Sequence, residues 1–295
     1  MHGCGNDYVY LDAISNELPD DLPRVAVIVS DRHRSIGGDG LVVMLPSTNP
    51  SAAARMRMFN ADGSEGSLCG NALRCMALWL HQSLRAGQAF QIEMGPRLIE
   101  VSIIASEETT GSGVVRVRIG KPVVLCPEET SRARFVRRIS SDELIQKDSN
   151  AGSALLPKLI SDVRHVSMGN PHTILFVPSL DACDVTGLGP PLECHSMFPD
   201  RTNVEFTEVV GSSSLRVRVW ERGSGETLAC GSGACAVAVA AIQAGIVTSS
   251  KDDGAVRIEM PGGELKVLWH DDDNVSLEGP AQIAFEGSLK LPSSR

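Results

Sequence analysis

The chain has 295 residues, enough for two hydrophobic cores, and its 42% apolar and 21% charged content is that of a folded globular protein. Its formal net charge is −9, with no long basic cluster, which argues against a nucleic-acid partner; Arg132 to Arg138 reads as a solvated face. No apolar run reaches the roughly 18 residues of a membrane span, so no membrane partner is expected. Aromatic residues make up only 4%, so the core must be built from aliphatic side chains.

The opening Met1-His2-Gly3-Cys4-Gly5 lacks the basic-then-apolar pattern of a secretory signal, which gives the expectation of a cytoplasmic, reducing compartment. The eight cysteines are then expected as thiols. Ala54 to Phe59 alternates as a strand does, and a polar Gly/Ser/Asp/Glu loop follows. A helix is predicted from Cys69-Gly70 to a stop at Ala86-Gly87. Strand candidates come next at Gln91–Met94, Ile99–Ile104 and Val114–Ile119.

From about Ser131 to Asp162 the sequence is polar and irregular, and a domain boundary is placed there. Beyond it, Thr173–Val177, Val204–Val209 and Leu215–Trp220 read as strands. A second helix runs from Cys230-Gly231 to Ala244-Gly245, and its part from Ala234 to Ala244 is almost wholly apolar, as expected of a helix buried on all sides. Val256–Met260 and Glu264–Trp269 close the series.

These elements repeat. Residue 55 laid over residue 216 aligns Arg55-Met56-Arg57-Met58-Phe59 with Arg216-Val217-Arg218-Val219-Trp220. The same shift puts Glu65 over Glu226, Cys69 over Cys230, Gly70 over Gly231 and Ala77 over Ala238. A slightly different register puts Gly5-Asn6 over Gly169-Asn170. The matches keep their order, which argues for duplication. The fold class expected is α+β: two pseudo-symmetric, β-rich, barrel-like domains, each around a central helix, with the active site in the cleft between them.

Each repeat places one cysteine at a helix start, where unpaired N–H groups and the helix dipole favour thiolate and can hold a carboxylate. Two such thiols, brought to one substrate, suit inversion at an α-carbon, because a proton must leave one face and arrive on the other. Cys75 and Cys235 read as small core residues. Shared metal ligation does not fit: six- and five-residue offsets turn the paired sulfurs about 240° and about 140° apart on a helix. Gly223 to Gly233 is no phosphate loop, lacking Gly-Lys-Ser/Thr.

The stretches FNADGSEGSLCGNALRC (59–75) and VWERGSGETLACGSGAC (219–235) resemble the two active-site motifs of the diaminopimelate epimerase family. HGCGNDYVYLDA (2–13), RHRSIGGDGLVVM (32–44), SMGNPH (167–172), RTNVEF (201–206), MPGGELKVLW and GPAQIAFEG extend the resemblance along nearly the whole chain. It implies interconversion of LL- and meso-2,6-diaminopimelate, in lysine and peptidoglycan precursor synthesis, without pyridoxal phosphate or metal, by a homodimer. It implies domains of 1–130, completed by a returning segment of about 277–295, and 131–276.

By motif position the resemblance makes Cys230 the base toward the LL-substrate and Cys69 the acid, with His172 and Glu221 supporting the thiols. Gly70, Asn71, Gly231 and Ser232 would hold the reacting carboxylate. Asn6, Asn60, Asn170, Asn203, Glu221 and Arg222 would line the rest of the pocket. The residue types suit a second amino-acid head: Glu221 can accept from its ammonium and Arg222 can grip its carboxylate in a fork. Ala72 stands where the family usually has Gly, a change compatible with a first helical turn. Gly40 stands where some members carry a substrate-facing Gln. The alternatives are a related two-thiol racemase of another amino acid, such as histidine or proline, and a redox-sensing or ligand-binding protein whose thiols do no turnover.

Overall fold

The computed structural model describes residues 1–66, 69–129, 132–140 and 160–291. Their packing divides the chain into two compact units, Met1–Arg118 with Glu278–Arg295, and Ile119–Leu277. Both are β-rich.

The N-terminal unit begins with β1 (His2–Gly3) and β2 (Asn6–Asp7), an antiparallel hairpin. Its turn residues Cys4 and Gly5 both have positive φ, 55° and 78°, the backbone that a two-residue turn between twisted strands requires. Next come β3 (Val9–Asp12), α1 (Leu22–Ser30), β4 (Gly40–Leu45), β5 (Ala54–Asn60) and α2 (Gly70–Leu84). The hairpin β6 (Ala89–Met94) and β7 (Arg97–Glu107) and then β8 (Ser112–Gly120) follow. β3 runs parallel to β4, β4 antiparallel to β5, and β5 parallel to β6. All six residues of β4 are buried, so the strand is covered on both faces. On one face Leu41, Val43 and Leu45 meet Leu22, Val25, Ala26 and Val29 of α1.

The C-terminal unit holds β9 (Val136–Ile139), β10 (Asp162–Ser167), β11 (Pro171–Phe176), α3 (Val185–Glu193), β12 (Asn203–Gly211) and β13 (Ser214–Glu221). It continues with β14 (Gly225–Thr227), α4 (Gly231–Gln243), β15 (Val256–Met260) and β16 (Gly263–Trp269). Strands pair in the order β9, β10, β11, β12, β13, β15, β16, with β14 on β13. α4 packs against β9 to β12 and against β15 and β16. Residues Ala234 to Ala241 have no solvent exposure. Their small side chains let strands approach the helix from all sides, and burying each Val contributes roughly 1.5–3 kcal/mol. β17 (Val275–Gln282) then carries the chain back to the first unit, pairing with β8 and β1.

The duplication has a geometric counterpart. Arg57 meets Glu65 at 2.8 Å, and Arg218 meets Glu226 at 2.7 Å, so residues aligned by the repeat make the same ion pair in each unit.

Several expectations change. α2 ends at Leu84, with Arg85 in the left-handed conformation, rather than at Ala86-Gly87. α1 and α3 are additions to the sequence reading; Asp21 and Asp184 cap them by accepting from Arg24 N and Gly187 N. Within the stretch read as irregular, Val136–Ile139 forms a strand on β10, and residues 141–159 lie outside the described ones. The arginine cluster is a solvated face only in part: Arg137 and Arg138 are exposed, while Arg132 stacks on Trp269 at 4.2 Å and Arg134 pairs with Asp273 at 2.6 Å.

Candidate active site

Cys69 is the N-cap of α2, with extended dihedrals of φ −135° and ψ 112°. Its Sγ accepts from Ala72 N at 3.4 Å and lies 3.6 Å from Asn6 Oδ1. Asn71 Nδ2 donates to the same Asn6 oxygen at 3.2 Å. Asn6 is held from behind, its Nδ2 donating to Asp39 Oδ2 at 2.6 Å. Asp39 is in turn tied to Arg32, which also forks onto Asp7. That Arg32 fork, more than any other neighbour, holds the Asp7 carboxyl below the usual range. The sequence therefore brings Cys69, Asn6 and Asn71 together at the start of α2. Asn60 is placed in its own turn, exposed, with Nδ2 donating to Ser64 Oγ at 2.9 Å.

Ala72 lies fully buried in the first turn, its carbonyl accepting from Tyr10 Oη at 3.2 Å, so the methyl is accommodated. At Gly40 a Cβ would stand 2.1 Å from the Phe59 carbonyl oxygen, so this backbone accepts only glycine and has no room for a Gln there.

Cys230 is the N-cap of α4, with nearly the same dihedrals, φ −122° and ψ 112°. Its Sγ is 3.5 Å from Ser232 Oγ. Asn170 Nδ2 donates to Ser232 Oγ at 3.3 Å, and Asn170 Oδ1 faces His172 Nε2 at 3.1 Å. Glu221, at the end of β13, accepts from Thr227 Oγ1 and from the Cys230 thiol. Burial pushes the Glu221 carboxyl up despite those bonds. Asn203 is buried with its amide engaged by backbone, accepting from Arg222 N at 2.9 Å and donating to Pro171 O at 2.8 Å. It orients Arg222, whose Nη1 donates to Asp200 O at 2.9 Å.

The helix-start argument predicts a more acidic thiol at both positions, and at Cys230 the opposite holds. Burial, followed by the nearby Glu221 and Glu205 carboxylates, pushes this thiol well above its ordinary range, outweighing its bonds to Ser232 and to the helix backbone. Cys75 and Cys235 are core residues, 1% and 0% exposed.

Sequence reasoning missed three residues. Tyr8 lies beside Cys69, and burial, then Cys69, drives its hydroxyl well above the ordinary range. Asp39 anchors Asn6. Glu205 lies fully buried beside His172. All three fall inside quoted stretches, so the local signal was present, while their neighbours are far away in sequence.

The diaminopimelate epimerase family model matches residues 1–125 and 164–284. The chain belongs to the diaminopimelate epimerase family. It is 41% identical to a diaminopimelate epimerase of Desulforudis audaxviator, covering 97% of this chain and 96% of that one. Identity is 37% to one from Methanococcus maripaludis, covering 99% and 98%, and 38% to one from Bacillus cereus, covering 97% and 94%. Among solved structures, a phenazine biosynthesis protein of the PhzF family from Bacillus anthracis superposes with a TM-score of 0.67 at 16% identity, covering 98% and 95%. A predicted epimerase from Pseudomonas aeruginosa gives 0.61 at 19%, covering 96% and 94%. At those identities the shared feature is the fold: the family's two β-rich domains, each with a helix enclosed by strands.

Proposed function

We propose that this chain is an isomerase that interconverts LL- and meso-2,6-diaminopimelate without a cofactor, Cys69 and Cys230 being its two acid/base groups. The observation that carries the reading is the pair of N-cap cysteines, each with extended dihedrals at the start of a strand-enclosed helix, in a chain of this family.

In the LL-to-meso direction Cys230 thiolate removes the α-proton, and the C–H electron pair moves into the substrate carboxylate. Cys69 thiol delivers its proton to the opposite face of the same carbon, leaving Cys69 as thiolate and Cys230 as thiol. The reverse reaction exchanges the roles. N–H groups at Gly70, Asn71, Gly231 and Ser232 hold the carboxylate as its charge grows, which stabilises the transition state more than the ground state. His172 and Glu221 act through Cys230. Glu221 and Arg222, with Asn6, Asn60, Asn170 and Asn203, bind the second amino-acid head.

In this reading the two compact units are the N- and C-terminal epimerase domains. The substrate is a small amino acid, the protein works as a cytoplasmic homodimer, and it has no nucleic-acid or membrane partner. No helix among the described residues is long and apolar enough to cross a membrane.

The test is incubation of the chain with LL-diaminopimelate in deuterated water without pyridoxal phosphate. Conversion to the meso isomer with deuterium at the α-carbon is expected. Exchange on proline or histidine but none on diaminopimelate would overturn the proposal.

A further inference from the structure

Glu205 is a buried acid that the reaction scheme above leaves unused. It sits on β12 with no solvent exposure, in a run of five buried residues from Asn203 to Thr207. Its Oε1 is 2.6 Å from His172 Nδ1, and its Oε2 has no hydrogen-bond partner among the described residues. A Cβ built on Gly233 would lie 2.8 Å from Glu205 Oε1 and 3.4 Å from Cys230 Sγ. The carboxylate therefore lies directly under the first turn of α4, on the same side as the thiol.

Four contacts link it to that thiol by a second route. Glu205 Oε1 meets His172 Nδ1 at 2.6 Å, and His172 Nε2 meets Asn170 Oδ1 at 3.1 Å. Asn170 Nδ2 donates to Ser232 Oγ at 3.3 Å, and Ser232 Oγ meets Cys230 Sγ at 3.5 Å. We propose that Glu205 is a positioning residue for the Cys230 thiol, fixing the direction in which this hydrogen-bond chain donates. The proposal rests on Cys230 being an acid/base group of the reaction.

The direction is set by the Asn170 amide, whose Oδ1 faces His172 and whose Nδ2 faces Ser232. In this proposal Glu205 is a carboxylate, which only accepts, so His172 Nδ1 carries a proton and donates it. The amide oxygen of Asn170 also only accepts, so His172 Nε2 donates as well. The ring is then an imidazolium, and Glu205 is its counter-charge. With its oxygen so engaged, Asn170 turns its NH₂ toward Ser232 and fills a lone pair of that hydroxyl. The Ser232 O–H is left to donate to sulfur, which favours thiolate. Without the Glu205 charge the imidazolium loses its partner and one proton, Nε2 becomes an acceptor, and the Asn170 amide turns over. Ser232 then donates to Asn170 instead of to the sulfur, so the thiolate loses that donor and thiol is favoured. The Glu205 charge taken alone pushes the thiol up; the imidazolium it holds offsets that push, and the two vanish together in the amide variant, so the reversal of the chain decides the sign at sulfur.

Among the described residues, the other titratable groups facing this site are Glu221 on β13, beside the thiol, and His165 on β10, beside His172. α4 itself adds only Cys235.

The experiment is alkylation of the substrate-free full chain by iodoacetamide across pH, with the Cys230 peptide followed by mass spectrometry. No epimerase activity is needed, so the outcome stands apart from the test of function. Glu205→Gln, which keeps the shape and an accepting oxygen, is expected to displace the rate-against-pH curve of Cys230 upward by about one unit, about a tenfold slower reaction at fixed pH. Ser232→Ala is expected to displace it in the same direction, and the double variant no further than Ser232→Ala alone, because the chain is already cut. An unchanged curve overturns the proposal. So does a downward shift, the result expected of a simple like charge beside a thiol, or full additivity in the double variant. If Glu205→Gln does not fold, nitrogen NMR of His172 in the unaltered protein decides: protons on both ring nitrogens support the proposal, and a bare Nδ1 or Nε2 overturns it.

Discussion

Glu205 Oε1 and His172 Nδ1 lie 2.6 Å apart, with neither side chain exposed to solvent. This pair lies beneath the helix start that carries Cys230. The electrostatics of that thiol are therefore set by residues on three strands, β11, β12 and β13, as well as by the helix that presents it.

Replacing either Cys69 or Cys230 by Ala is expected to lower epimerisation of LL-diaminopimelate by about 10²–10⁴-fold or more, the usual contribution of a positioned acid or base. Steady-state rates in both directions check this. A single variant with near-parental turnover shows that one thiol suffices.

Glu221→Gln is expected to make the Cys230 thiol more acidic. Of the charges that push this thiol up, Glu221 stands first after burial, and the amide removes it. Alkylation of Cys230 in the substrate-free chain should therefore reach its half-maximal rate at lower pH, opposite to the shift expected for Glu205→Gln. An upward or absent shift contradicts the arrangement described.

Gly233→Ala tests the packing between α4 and Glu205. By helix propensity alone, Ala is more favourable than Gly by up to about 1 kcal/mol. Here the new methyl meets Glu205 Oε1 at 2.8 Å and Cys230 Cβ at 3.3 Å. Overpacking of this kind costs about 1–3 kcal/mol. A lower Tm together with a reduced kcat is expected. A Tm at or above that of the parent shows that the first turn has room to shift.

Glu93 gives the N-terminal unit an acid-sensitive tether. Its carboxylate accepts from Ser47 Oγ at 2.6 Å, Thr48 N at 2.8 Å and Asn49 N at 3.2 Å. The Ser47 and Thr48 hydroxyl bonds lead in pulling its pKa from 4.5 down to about 2. A depressed folded-state value means that the contribution is complete above pH 4.5 and disappears as the pH falls toward 2. Glu93→Gln should lower Tm at pH 7, and the gap to the parent should close over that acid window in calorimetry. A constant gap across the window refutes the assignment.

Much of the architecture could be read from local signals. Short apolar runs gave about half of the strands near their observed places, and the apolar run from Ala234 gave a helix enclosed by strands. The repeat placed Cys69 and Cys230 at equivalent helix starts, and the aligned Arg57–Glu65 and Arg218–Glu226 pairs give it a structural counterpart. α1 and α3 escaped because each is a single short amphipathic segment whose apolar face is explained only by the sheet beneath it.

The chain order alone determined the family, the two β-rich units and the placement of a thiol at each helix N-terminus, since these depend on neighbours a few residues apart. Only the tertiary structure decided the charge balance around those thiols. Glu205 reaches Cys230 through strand register, β11 pairing in parallel with β12 so that His172 lies beside Asn203 and two residues from Glu205. Burial sums over all of these distant neighbours, and at Cys230 the sum opposes the helix dipole and reverses the direction that the local sequence predicts.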